Sequence, residues 1–188
     1  MGEGGTGLVN ARELIAEYPV KELYFKTEGD NPTDSFKDRG TTVCMSRALK
    51  KGFKRVSVAS TGNMGASVAA YAAFANLEAR VFVPKDIPNE KIAQMIAVGG
   101  KLKKIKGTFR DAVNAMLKDV KKGSYLCETG LNPYYLEGEK TIGFELYEEM
   151  GVPDRIIVPT GTGGLITSIY KAFKELKRAG KTRKLPQM

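Results

Sequence analysis

Three short stretches of this chain carry residue types that can do chemistry. The first is Asn31-Pro32-Thr33-Asp34-Ser35-Phe36-Lys37-Asp38-Arg39-Gly40, which follows the apolar run Leu23-Tyr24-Phe25 and precedes Thr41-Thr42-Val43-Cys44-Met45. Asn31-Pro32 breaks a strand, and the side-chain oxygens of Thr33, Asp34 or Ser35 can accept the free N–H groups of a helix's first turn, so Lys37 falls at a strand-to-helix turn. The positive end of the helix dipole favours a neutral amine there, the form that a Schiff base with an aldehyde requires. A solvated lysine in a capped first turn is the plainer reading of the same residues. The second stretch, Ser60-Thr61-Gly62-Asn63-Met64-Gly65-Ala66-Ser67, joins an apolar strand to a helix. It is either an anion site or an ordinary connection capped by Ser60 or Thr61. In the third, Pro159-Thr160-Gly161-Thr162-Gly163-Gly164-Leu165, three glycines let backbone N–H groups converge on a phosphate without Cβ obstruction, although such turns also occur without a ligand.

The elements that must hold these stretches alternate. A short helix capped at Asn10, with Glu13 three residues on, runs to about Glu17 and is followed by a strand over Glu22 to Thr27 and a helix from Asp38 to Lys51. Arg55 to Ala59 reads as a strand, and the Ala-rich run from Met64 to Asn76 as a helix packed closely on a sheet. Strands at Ala79 to Val83, Leu102 to Ile105 and Tyr125 to Glu128 alternate with helices from Asn89 to Val98 and from Thr108, capped with Asp111, to Lys122. A turn over Asn132 to Tyr135, a helix over Leu136 to Met150, a buried strand over Arg155 to Val158 and a helix over Leu165 to Ala179 complete the pattern, with Leu185 approaching a further strand. Such alternation implies βαβ units, a parallel sheet and helices on both faces. All three chemical stretches then lie at carboxyl ends of strands, the edge where α/β sheets bind ligands, and are expected to meet in one cleft.

Composition narrows the chemistry further. The 188 residues include no histidine, which excludes Ser-His and Cys-His nucleophile pairs and histidine metal sites within this chain. Cys44 and Cys127 lie far apart, so buried free thiols are expected and no metal site is. No apolar run approaches the roughly 20 residues of a membrane span and no signal peptide opens the chain, so a cytoplasmic protein without membrane contacts is expected. The net charge of +9 comes from lysines at helix ends and exposed faces. With no nucleic-acid signature among them, they read as a solvated surface that also suits anionic substrates. Two motif matches fail on context. Gly2-Glu3-Gly4-Gly5-Thr6-Gly7 follows no strand, and Gly180-Lys181-Thr182 has Glu175 where a P-loop needs glycine.

In order and separation, the three stretches resemble the fold-type II family of pyridoxal-phosphate (PLP) enzymes, and within it the threonine synthases, whose lysine segment reads Asn-Pro-Thr-x-Ser-Phe-Lys-Asp-Arg-Gly. The resemblance runs along the whole chain. It implies open parallel sheets of the tryptophan synthase β-like kind, with residues 1–39 and 151–188 as parts of an incomplete larger PLP-binding domain and residues 40–150 as a smaller α/β domain. It implies that Lys37 forms the Schiff base with PLP and shuttles protons, that Asn63 donates to the cofactor's 3′-oxygen, and that Gly161, Thr162, Gly163, Gly164 and Leu165 hold its phosphate. It places Ser60, Thr61, Met64, Tyr135 and Lys140 at the substrate, Ser60 and Thr61 holding the α-carboxylate. It further implies a phosphorylated amino acid as substrate, O-phosphohomoserine and water giving threonine and phosphate, and a homodimer. Family members begin earlier and continue further, so the resemblance implies the central part of a longer enzyme.

Three positions differ from the threonine-synthase pattern. Tyr135 stands where an arginine contacts the substrate phosphate, Met64 follows Asn63 where threonine is common, and the glycine loop is closer to that of cysteine synthases. Either Lys140 or Arg39 then replaces the missing cation, which is the expectation, or the substrate carries no distal phosphate. A related β-replacing or dehydrating enzyme, such as cysteate synthase, cysteine synthase or threonine dehydratase, remains an alternative. So does a non-catalytic anion-binding α/β module.

Overall fold

The structure is a computed structural model that describes the backbone of residues 1–188 and all side chains except those of residues 16, 17 and 89–91. The chain runs through β1 (Leu8–Asn10), β2 (Tyr24–Lys26), α1 (Lys37–Lys50), β3 (Arg55–Ala59), α2 (Asn63–Phe74), β4 (Glu78–Pro84) and α3 (Asn89–Ala97). It continues through β5 (Lys101–Ile105), α4 (Phe109–Lys121), β6 (Tyr125–Leu126), α5 (Tyr134–Glu139), α6 (Thr141–Met150) and α7 (Gly164–Arg178). Four strands form a parallel sheet in the order β5-β4-β3-β6, with Val58 opposite Val81 and Val56 opposite Tyr125.

A parallel sheet is covered on both faces, which is why β3 reads Val-Ser-Val-Ala without polar alternation. Val56, Val58, Val81 and Val83 pack with Cys44 and Met45 of α1, the alanines of α2 and Met95 of α3. On the other face Ala59 and Phe82 pack with Ala112 and Met116 of α4. There Ser57 donates to the Asp119 carboxylate at 2.6 Å, tying the central strand to α4. Both cysteines are buried free thiols. A third apolar cluster, Ile142, Leu146, Ile169 and Phe173 with Leu8, Phe36, Val158 and Leu185 against it, joins α6 and α7 to the two ends of the chain.

The reciprocal cap expected at α4 is present: Thr108 accepts from the Asp111 N–H, and Asp111 accepts from the Thr108 N–H at 2.7 Å. Thr108→Ala is expected to remove about 1 kcal/mol, lowering Tm by roughly 2–4 °C for a chain of this size. Calorimetry checks this, and an unchanged Tm would show that the cap contributes nothing.

Four expectations are corrected. Asn10 caps no helix; it ends β1, opposite Tyr24 in an antiparallel pair, and the helix that follows is a 3-10 turn, Arg12–Glu17, without a side-chain cap. The strand before the lysine segment, β2, therefore belongs to a two-stranded antiparallel ribbon and not to the parallel sheet. The helix expected from Leu136 is two helices, α5 and α6, and it takes in Tyr134 and Tyr135, which had read as a turn. Residues 155–158 form no strand: Ile157 is 93% exposed, and the segment pairs only through Arg155 beside Gln187. A buried strand needs neighbours along its length, and here the Ile156 N–H finds the Gln187 carbonyl at 2.8 Å with no ladder beyond it.

Candidate active site

Lys37 is the first residue of α1, and its N–H is accepted by Ser35 Oγ at 3.3 Å. The turn around it is held mainly by Asp38, a fully buried carboxylate that accepts from the Thr33 N–H at 2.7 Å, Thr33 Oγ1 at 2.5 Å and Ser67 Oγ at 2.6 Å. Three donors on one buried carboxylate fix the backbone that carries the lysine.

Helix α1 meets α5 at two residues without side chains. A Cβ on Gly138 would collide with the Arg39 carbonyl, and one on Gly40 with the Tyr135 ring. This close crossing delivers Glu139 to Lys37, with Oε1 at 3.2 Å from Nζ, while the ammonium also lies 4.2 Å above the Phe36 ring. The Glu139 side chain is 0% exposed and that of Lys37 18%. Burial pushes the Glu139 carboxyl up, and the charge and hydrogen bond of Lys37 and the hydrogen bond donated by Ser168 Oγ only partly offset it. A second carboxyl, Glu128, is also pushed up by burial against the pull of the Ala59 backbone and the charge of Lys37, and its Oε2 has no hydrogen-bond partner among the described residues. Gly138→Ala is expected to wedge the crossing apart at a cost of about 1–3 kcal/mol, read as a fall in Tm. An unchanged Tm would show that the helices do not rely on this contact.

The other two stretches come to the same place. Ser60 Oγ accepts from the N–H groups of Gly62 at 3.3 Å and Gly65 at 3.0 Å, so it caps the first turn of α2. Asn63 is exposed at the start of α2, Thr61 is half-buried, and Met64 is buried with its sulfur accepting from Thr129 Oγ1 at 3.0 Å. Gly163 precedes α7 with φ 82°, a conformation that favours glycine, and no side chain caps that helix. Gly164 packs on both neighbours, a Cβ there lying 3.2 Å from Thr129 and 3.4 Å from Glu139 Oε2. Gly161 and Gly163 look onto open space, Thr162 is exposed and Leu165 joins the third apolar cluster. Thr129 thus touches the first turns of α2 and α7, and Glu139 touches those of α1 and α7. The three stretches converge as expected, although only the second follows a strand of the parallel sheet.

Three other residues stand away from this cleft. Tyr135 is 0% exposed, its hydroxyl 3.0 Å from Thr41 Oγ1, and so is part of the core and not a substrate contact. Lys140 is 2.6 Å from Glu137 and 2.8 Å from Glu175. Burial would lower its pKa, but the two carboxylates raise it. Arg39 grips Glu28 and Glu145, each with two nitrogens. Both cations proposed to replace the missing arginine are therefore already neutralised by two carboxylates each. Glycine-rich Gly2 to Gly7 is likewise structural: the N–H groups of Gly4, Gly5 and Gly7 go to Asn31, Glu145 and Asp30.

The family model for pyridoxal-phosphate dependent enzymes matches residues 1–186. The chain belongs to that family. Threonine synthase of Methanocaldococcus jannaschii is 43% identical over 99% of this chain and 47% of its own length. Threonine synthase of Halalkalibacterium halodurans is 40% identical over 100% and 53%. The processed form of threonine deaminase isoform 2 from Solanum lycopersicum superposes with a TM-score of 0.83 at 29% identity, over 92% of this chain and 48% of that one. The fold is that of fold-type II PLP enzymes, and the chain spans about half the length of the curated relatives it matches. The cleft fits the family's cofactor. An uncapped helix N-terminus with open space at two glycines suits a phosphate, and a half-buried primary amine beside it suits an aldehyde.

Glu139, Glu128 and Thr129 were not recognised from the sequence as parts of the site. Helical spacing carried a signal for Glu139, which lies four residues after Tyr135 and shares its inward face. Nothing local distinguishes Glu128 or Thr129, whose place depends on where β6 ends.

Among the described residues no group of acidic, cysteine or histidine side chains is arranged to hold a metal ion, and no helix is long and apolar enough to cross a membrane.

Proposed function

We propose that this chain carries the lysine and phosphate-binding half of a PLP-dependent lyase of the threonine-synthase type, converting O-phosphohomoserine and water to threonine and phosphate. One observation carries the reading: Lys37 and the uncapped first turn of α7 are both in contact with Glu139, which sets a nucleophilic amine beside an anion cradle. PLP bound there supplies an electron sink for carbanions formed next to the substrate amino group.

The remaining roles belong to side chains and amides of the chain. The N–H groups of Gly161, Thr162, Gly163, Gly164 and Leu165 hold the cofactor phosphate. Asn63 donates to the ring oxygen of the cofactor. The exposed edge at Thr61, with the first amides of α2, holds the substrate carboxylate, while Ser60 keeps its oxygen on α2. Lys37 Nζ takes and returns protons at the substrate's α and β carbons, the only amine at the cleft among the described residues. The same reading places residues 1–39 and 151–188 in a larger PLP-binding domain and residues 40–150 in a smaller one. The third apolar cluster supports this grouping and draws α6 toward the larger domain. A homodimer fits the exposure of Val9, Phe25 and Ile157 on the first group. A cytoplasmic location completes the reading.

The relatives' names favour threonine synthesis, whereas the core position of Tyr135 leaves the substrate phosphate without the expected arginine. Supplying PLP and, separately, O-phosphohomoserine, O-phosphoserine or threonine to the full-length protein and chromatographing the products decides the reaction. Threonine with stoichiometric phosphate is the expected outcome. A 2-oxo acid from threonine, with no turnover of O-phosphohomoserine, would assign a dehydratase instead.

A further inference from the structure

Two helices end close together at the amino edge of the parallel sheet, away from the cleft. Helix α1 ends in a turn at Gly52 (φ 75°) and α4 in one at Gly123 (φ 91°), and each end closes on itself. The Gly52 N–H goes to the Leu49 carbonyl and the Phe53 N–H to that of Ala48, while Gly123 and Ser124 bond Val120 and Asp119 in the same way. Arg55, the first residue of β3, donates from Nη2 to the Lys122 carbonyl, so that carbonyl of α4 is used as well.

Between the two turns lies a cavity of about 370 Å³, lined by Lys51, Gly52, Phe53, Lys54, Arg55 and Gly123. Its wall carries three cations and no carboxylate. Among the described residues none of the three makes an ion pair, whereas Lys26, Arg39, Arg80, Lys101 and Lys140 each face a carboxylate. Asp119, whose carboxyl feels the charge of Arg55, is turned to Ser57 and Arg80, each at 2.6 Å. The Arg55 Nε is buried and finds no acceptor among the described residues. Capping does not account for these charges, because helix ends closed by their own glycine turns leave few carbonyls to neutralise.

Convergent cations without a counter-charge in a concave site favour an anion, and the planar fork of an arginine suits phosphate oxygens. The same wall offers apolar contact through Phe53, half-buried with its ring edge-on to Tyr125 at 5.2 Å. Lys54 is shared with a second groove of about 380 Å³, which is lined by Ala69, Ala73 and Leu77. Glu78 also lines that groove, which disfavours a phosphate there and leaves it to an uncharged body. We propose that the cavity between Gly52 and Gly123 is a phosphate-binding site, taking the phosphate of a small organic monoester on Lys51, Lys54 and Arg55 and its apolar part along Phe53 and the alanine groove. The site lies at the far end of α1, about 20 Å from Lys37 along a helix of this length. It is therefore separate from the phosphate cradle at α7, and it stands whether or not Lys37 carries a cofactor.

The test is titration of the 188-residue chain with inorganic phosphate and with phenyl phosphate, followed by amide NMR. Both are expected to shift the Gly52 and Gly123 resonances, with phenyl phosphate at least about threefold tighter through its buried ring. Lys51→Glu/Lys54→Glu is expected to weaken binding at least about tenfold, the equivalent of one lost charged hydrogen bond. Lys103→Glu/Lys104→Glu, at exposed lysines of β5, changes the net charge equally and is expected to leave binding within about twofold, because distant exposed charges are screened. Circular dichroism checks that both variants fold. Equal affinity for the two probes would overturn the organic ester and leave a site for free phosphate. Shifts confined to Gly163 and Gly164, equal weakening in the two variants, or no shift at either turn would overturn the site itself.

Discussion

Lys37→Ala is expected to abolish retention of PLP by the protein through gel filtration and to leave no turnover of any amino-acid substrate. The phosphate cradle at α7 remains in that variant, so weak, reversible binding of the cofactor persists while the lysine bond is lost. Removing the amine also leaves the buried Glu139 carboxyl without its ion-pair partner, so circular dichroism of the variant separates loss of the lysine bond from loss of the fold. If retention in Lys37→Ala equalled that of the wild type, the lysine would be a solvated first-turn residue and the chemistry would lie elsewhere.

Arg39→Met is expected to have the largest effect on stability. Arg39 is 2% exposed and holds Glu28 and Glu145 with hydrogen bonds between 2.6 and 2.8 Å, joining α1, α6 and the segment after β2. Breaking a buried ion pair from one side costs about 3–5 kcal/mol, since the partner carboxylates stay behind uncompensated. At roughly 2–4 °C per kcal/mol, Tm falls by about 6–20 °C. The effect depends on pH in a definite direction. Burial would raise the Glu145 carboxyl, but Arg39, the Gly5 N–H and Lys26 overcome it and hold the group at about 2, down from 4.5. A folded value below the unfolded one stabilises fully above pH 4.5 and is lost as the pH falls toward 2. The gap in Tm between wild type and Arg39→Met should therefore be widest above about pH 5 and close on acidification. Calorimetry across that range measures it, and a gap that does not change with pH would mean that these carboxylates are not paired with Arg39.

Elements whose cause is local were legible in the chain. β3 was read at its observed bounds because a short buried run between Lys54 and Ser60 has only one extended solution, and α4 because Thr108 and Asp111 sign its start. Elements whose cause is tertiary were not. Residues 155–158 have the composition of a buried strand, yet a strand exists only where neighbours complete its ladder, and the described chain supplies one bridge. β1 was missed because its partner, Tyr24–Lys26, lies across an intervening 3-10 turn. Reading Asn132 to Tyr135 as a turn had the largest consequence for the site. It hid the register of α5, in which Tyr135 and Glu139 point the same way, and so left the substrate place that the resemblance implies for Tyr135 unchallenged and overlooked Glu139. The Lys140 and Arg39 expectations failed for a related reason: sequence shows where a charge is, not which carboxylates already face it.

The central claim is that Lys37 is the amine that binds PLP. It is tested most directly by mixing the chain with a stoichiometric amount of PLP, reducing with borohydride, and mapping the modified peptides. A single dominant adduct on Lys37 is expected, suppressed when inorganic phosphate competes for the first turn of α7. An adduct spread over exposed lysines such as Lys50 and Lys51, with Lys37 unmodified, would contradict it.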